Sequence, residues 1–290
     1  MRVVEGLRIF KRHKKFVAMY SIILATSIII TLIGIEYDLF IAYLFISLMF
    51  SAGIISIIFF KFALKDEKLS IRILPKQYDF FAILFSLFYP LTIFAASIAF
   101  SMFITKAYIE KLTSFLSMYE KIGWSLHVAI LLLVMYFLLM PIFYAFIAIW
   151  EELCWRGIIL EYFLKKTKLS PLYAIILSGL LWGITYLPLA YALDALKSPI
   201  IMYLLILVLF VSFHTILVWL RLTTDSIIFS SIARASLLLI MLMMTCTISC
   251  NPLIDYPFGI ILTFPSAVLA LPFMLDLRKK PSNRSLKSSN

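Results

Sequence analysis

Two adjacent carboxylates and a cation four residues further on, Glu151-Glu152-Leu153-Cys154-Trp155-Arg156-Gly157, follow directly on a long apolar run, Leu126–Trp150. On a helix, Glu152 and Arg156 are four apart and can pair. Glu151 projects about 100° away from Glu152, at 3.6 residues per turn, and is left to face another element. An ionisable group inside an apolar segment is a functional candidate by default. The plainer alternative is a charged helix end at the membrane surface. Two more groups stand out. Trp182-Gly183-Ile184-Thr185-Tyr186 puts an indole and a phenol on one helical face, for polar work or for simple aromatic packing. Arg234 lies inside a later apolar run, where a lone arginine costs on the order of 2.5–3.5 kcal/mol and needs a partner. Glu151, Glu152 and Glu161 are the candidate partners, in an active site or in a purely structural ion pair.

The elements that must position these residues are hydrophobic helices. The chain of 290 residues is 63% hydrophobic and only 14% charged, with a mean hydropathy of +1.05. Soluble domains sit near 45–50% apolar, so lipid must solvate much of this surface. About 20 apolar residues cross a bilayer as a helix. Eight runs qualify: Phe16–Ile35, Leu39–Phe60, Phe80–Ile104, Leu126–Trp150, Leu172–Tyr191, Ile200–Leu220, Ile227–Ile248 and Phe258–Leu275. The fold class is therefore all-α, a polytopic membrane protein of about eight transmembrane helices. The division expected is a basic cytoplasmic arm (1–15), a transmembrane domain (16–277) and a basic disordered tail (278–290). The basic start feeds a full-length span without a small-residue cleavage site, so no cleavable signal is expected. Cys154, Cys246 and Cys250 form neither a disulfide framework nor a CxxC pair, and Cys246 and Cys250, one helical turn apart, read as packing residues.

Charge sets the orientation. With the N-terminus inside, 21 basic residues fall on the inner side and 4 (Lys106, Lys111, Lys121, Lys197) outside, with Arg234 left over. That bias places both termini in the cytoplasm of a cell-membrane protein. It also accounts for the net charge of +11 without nucleic acid. At 1.5 Å per residue, Glu151 stands about 21 Å above Lys165, Tyr186 about 22 Å above Pro171 and Arg234 about 20 Å above Arg221. The three unusual positions thus fall in one layer, provided that the helix runs on through Glu151. From Ser125 to Lys165 is too long for one straight span across ~30 Å. A tilt or a kink near Pro141 is needed, or the helix ends near Trp150.

These segments resemble the motifs of the CAAX-prenyl-protease and bacteriocin-processing and immunity family of intramembrane endopeptidases. Glu151, Glu152, Arg156 and Gly157 match its first motif, Glu-Glu-x-x-x-Arg-Gly. Ser178-Gly179-Leu180-Leu181-Trp182-Gly183-Ile184-Thr185-Tyr186 follows the frame of its second, Phe-x-x-x-His, with Trp182 for the Phe and Tyr186 for the His. Ile232-Ala233-Arg234-Ala235 looks like its third, His-x-x-x-Asn, with Arg234 for the His and Leu238 for the Asn. The resemblance covers roughly 126–239.

It implies an eight-helix bundle that cleaves peptide bonds within the bilayer. Catalytic positions would be Glu151, Glu152, Arg156, Tyr186 and Arg234, with substrate contacts at Trp182 and Leu238. The implied partners are the lipid bilayer and a hydrophobic or lipidated peptide or membrane protein. In the family the first Glu and the second-motif His activate water, and the third-motif His and Asn stabilise the oxyanion. Here Glu151 remains as the candidate base. Tyr186, with an ordinary pKa of about 10, is a poor base at neutral pH. Arg234 cannot shuttle protons; it serves as an oxyanion donor, or closes the site as an ion pair with Glu151. No cofactor is expected: a catalytic zinc needs three protein ligands, and His13, His127 and His214 lie outside the motifs. A non-catalytic relative that binds a membrane partner is the alternative. A transporter is disfavoured by the lack of an inverted repeat.

Overall fold

A computed structural model describes residues 2–37, 41–63, 72–75, 79–104, 126–167, 169–192, 200–247 and 260–279. Among these the chain is helical with no strand, a polytopic all-α membrane protein. The elements are α1 (Arg2–Glu36), α2 (Ile41–Ala63), α3 (Phe80–Ile104), α4 (Leu126–Glu152), a π-helical segment (Leu153–Ile159), α5 (Leu160–Lys166), α6 (Pro171–Ala192), α7 (Ile201–Thr224), α8 (Ile227–Thr247) and α9 (Ile260–Lys279). Each of the eight expected runs coincides with one helix over its described length. By length and composition six are candidate spans, including His13–Glu36 of α1 and Val134–Lys165 of α4 to α5. The shorter apolar stretches of α2 and α8 are Ile46–Lys61 and Ile227–Met241. Lys65, Lys68, Lys76, Lys106, Lys111, Lys121, Lys168, Lys197, Lys280, Arg284, Lys287 and Cys250 lie outside the described residues.

The fourth run does not stop at Trp150. It passes through Glu151 and Glu152 into the π segment, where the amide of Leu160 donates to the carbonyl of Trp155, five residues back. The widened turn admits one extra residue and turns the following side chains relative to a regular helix. Single π turns concentrate at functional sites. Cys154, Trp155, Arg156, Gly157, Ile158 and Ile159 are all buried, because α2, α4, α5, α6, α7 and α8 pack around this segment.

Small residues let the helices approach it. Gly179 and Gly183 are one turn apart on α6. A Cβ on Gly179 would lie 3.0 Å from Cα of Val211 and 3.2 Å from Cβ of His214. One on Gly183 would lie 3.2 Å from Cβ of Phe210. This is the small-xxx-small contact of membrane helices, here closing α6 on α7. Gly53 does the same for α2 and α4, since a Cβ there would run into the backbone of Trp150. The start of α8 is pinned from outside the bundle. The carbonyls of Arg72 and Ile73 accept from the amides of Ile227 and Ile228 at 3.1 and 3.2 Å, satisfying donors that a helix start leaves open. Arg72 also pairs with Asp225 at 2.8 Å.

Candidate functional site

Glu151, the last residue but one of α4, has its side chain turned into the bundle and is 1% exposed. Its Oε1 accepts from the indole Nε1 of Trp182 at 2.7 Å and from the Tyr186 hydroxyl at 2.6 Å. Its Oε2 accepts from Nε of Arg234 at 2.8 Å. The triangle closes where Nη2 of Arg234 donates to the Tyr186 oxygen at 3.1 Å. An acid from α4, an indole and a phenol from α6 and a guanidinium from α8 therefore meet in one buried cluster. Arg234 is also 1% exposed. Its lateral partner is Glu151 rather than Glu161, which pairs with Lys165 at 2.7 Å on α5.

The second carboxylate takes the other route that the four-residue spacing offers. Glu152 Oε1 accepts from Nη1 of Arg156 at 2.7 Å, with both side chains fully buried. The two ion pairs share one aromatic neighbour: Cζ of Arg156 lies 4.1 Å and Cζ of Arg234 5.1 Å from the centre of the Trp182 ring. Arene faces attract cations, more strongly when desolvated. Phe210 of α7 holds both aromatics, edge-on to Trp182 at 4.7 Å and stacked on Tyr186 at 4.8 Å. Leu238 follows Arg234 by one turn, is buried and adds no polar atom.

Two carboxylates against two guanidiniums leave the layer electrically balanced. Each of the two carboxylates faces a cation, and among the described residues no three or more His, Cys, Asp or Glu side chains are grouped so that they could hold a metal ion. The histidines lie elsewhere. His13 bonds the Tyr162 hydroxyl at 2.6 Å and so ties the basic arm to α5. His127 is exposed. His214 bonds Ser178 at 2.6 Å. Residue spacing missed two partners. The Trp182 indole acts on Glu151 as a donor, whereas the resemblance gave it only a substrate contact. Ser178 reaches across to His214 where Gly179 permits the approach; the serine next to a glycine was the available signal.

Residues 133–240 match the family model described as type II CAAX prenyl endopeptidase Rce1-like. This stretch is similar to a CAAX-protease-like domain. The match encloses all the clustered residues, from Glu151 to Leu238, and leaves α1, α2, α3 and α9 outside it. No curated protein matches the chain.

Proposed function

We propose that this CAAX-protease-like membrane protein does not hydrolyse peptide bonds, and that its intramembrane site is a closed polar lock. One observation carries the reading: Glu151 already accepts from Trp182, Tyr186 and Arg234 in a buried setting. A general base must reach water and take its proton. Here the base would first have to release a guanidinium, and none of its three polar neighbours can relay a proton at neutral pH as a histidine does. In this reading the scaffold holds a hydrophobic or lipidated peptide or membrane-protein segment, needs no metal, and sits in the cell membrane with both termini in the cytoplasm. The proposed division into a basic arm, a transmembrane domain and a basic tail goes with that orientation.

A second reading keeps the endopeptidase activity. It is favoured by the retained Glu151, Glu152 and Arg156, and by Nη1 of Arg234, a buried donor with no partner among the described residues. Such a donor could serve a developing oxyanion, with Glu151 as base. The full-length protein in liposomes, offered fluorogenic membrane-span peptides and farnesylated C-terminal peptides, separates the two. The lock reading expects no turnover above that of Glu151→Gln, with saturable binding of the farnesylated peptide. Turnover that disappears in Glu151→Gln would establish the peptidase.

A further inference from the structure

Two polar side chains that Glu151 does not touch flank the same indole. Arg156 gives Nη1 to Glu152, yet its Nε and Nη2 are buried and have no partner among the described residues. His214 of α7 is also fully buried, its ring centre 6.1 Å from that of Trp182. Its Nε2 bonds Ser178 at 2.6 Å, and its Nδ1 has no partner among the described residues. The Ser178 hydroxyl has one proton to give and lies 2.7 Å from the carbonyl of Ala174 and 3.1 Å from that of Ile175. With that proton on the Ala174 carbonyl, Nε2–H of His214 donates to Ser178, and Nδ1 is left as a bare acceptor. Two open donors on Arg156 and an open acceptor on His214 thus lie beside one indole, with Cζ of Arg156 4.1 Å and the His214 ring centre 6.1 Å from the centre of the Trp182 ring.

Buried polar groups are rarely left unpaired, and internal water fills such sites where two to four polar partners surround it. Charge decides the ligand. Glu152 already balances Arg156 and Glu151 balances Arg234, so an anion would leave an uncompensated charge in a low dielectric. A cation would meet a guanidinium. What fits is a neutral group the size of one oxygen that both accepts and donates. We propose that internal water bridges Arg156 Nε or Nη2 to His214 Nδ1 beside Trp182. It joins Glu152–Arg156 and His214–Ser178 into one hydrogen-bonded chain across the π segment, α7 and α6. The site is independent of whether Glu151 hydrolyses anything.

Crystals of the full-length protein grown in a lipid mesophase, in sodium chloride and in sodium bromide, provide the test. The expected result is a solvent peak about 2.7–3.2 Å from an open Arg156 nitrogen and from His214 Nδ1, without anomalous bromide signal. A direct Arg156–His214 contact, no peak, or a bromide peak overturns the proposal. His214→Gln, which retains an acceptor, should keep the peak, and His214→Leu should lose it. If the peak has the same occupancy in both variants, His214 is not its ligand. Where a variant does not fold, the unaltered protein decides.

Discussion

Replacing Arg234 by leucine should cost far more than its hydrogen bonds are worth. Arg234 donates Nε to Glu151 and Nη2 to Tyr186. Interhelical hydrogen bonds in membrane proteins average about 0.6 kcal/mol, so two would contribute about 1.2 kcal/mol. The larger effect is on Glu151, which would stay 1% exposed with its countercharge gone. Removing one partner of a buried ion pair costs about 3–5 kcal/mol, so the charge dominates and that is the expected loss for Arg234→Leu. Glu151→Gln strands the guanidinium instead and should lose a similar amount. The double variant carries no charge, and the glutamine oxygen still accepts from Trp182 and Tyr186. One unpaired amide NH2 group, with two N–H donors, then remains, at about 1–3 kcal/mol for the group, so the double variant should be more stable than either single one. Reversible unfolding in mixed micelles with rising SDS, on all four proteins, measures the cycle. Single losses of about 1 kcal/mol or less, or a double loss equal to the sum, would show that the pair is solvated or uncoupled, and the buried-lock argument would fall.

Three smaller perturbations probe the supports. Trp182→Phe removes the indole donor to Glu151 and weakens the ring contact with two guanidiniums; unfolding should show a loss of about 1–3 kcal/mol, from cation–π terms of about 0.5–2 kcal/mol each. Gly53→Ala forces a methyl against the Trp150 backbone one residue before Glu151; overpacking of about 1–3 kcal/mol is expected, and an unchanged unfolding midpoint would mean that α2 and α4 are not that close. Asp225 separates ion pairing from a backbone effect, having φ 52° at the end of α7. Asp225→Gly removes its pair with the exposed Arg72 at 2.8 Å and its pair with the buried Arg221 at 3.2 Å, and should lose more than the roughly 0–1 kcal/mol of an exposed pair alone. Asp225→Val adds about 1–2 kcal/mol of left-handed strain on top, so equal losses in the two would refute the positive φ.

Much of this was legible in the sequence because the membrane makes long-range geometry local. Apolar runs fix the helices, and a constant rise per residue turns sequence offsets into depth. Glu151, Tyr186 and Arg234 could therefore be placed in one layer before any contact was known. The Glu152–Arg156 pair was legible for a simpler reason, the four-residue spacing. The π segment was not. Leu-Cys-Trp-Arg-Gly-Ile-Ile reads as ordinary helix, and the wide turn comes with burial on every side. The capping of α8 by Arg72 and Ile73 was equally hidden, since backbone carbonyls leave no trace in residue type. The His13–Tyr162 bond was missed because a histidine in a basic arm gives no hint of a tyrosine 149 residues away.

The substitutions at the motif positions make sense as a set. A histidine at the position of Arg234 could be neutral, and a facing carboxylate would then be free to change its protonation. An arginine there is a permanent charge, and a permanent charge at this depth demands a permanent partner. Glu151 supplies it through Oε2, which leaves Oε1 facing α6. The two α6 residues one turn apart on that face both present N–H or O–H donors to Oε1, Trp182 where the family pattern has Phe and Tyr186 where it has His. The phenol also has an oxygen to spare for the second guanidinium nitrogen. Once one position carries a fixed cation, the favourable neighbours are those that hold the carboxylate charged and in place. Trp182, Tyr186 and Arg234 meet that requirement together, and this is why the cluster reads as a lock.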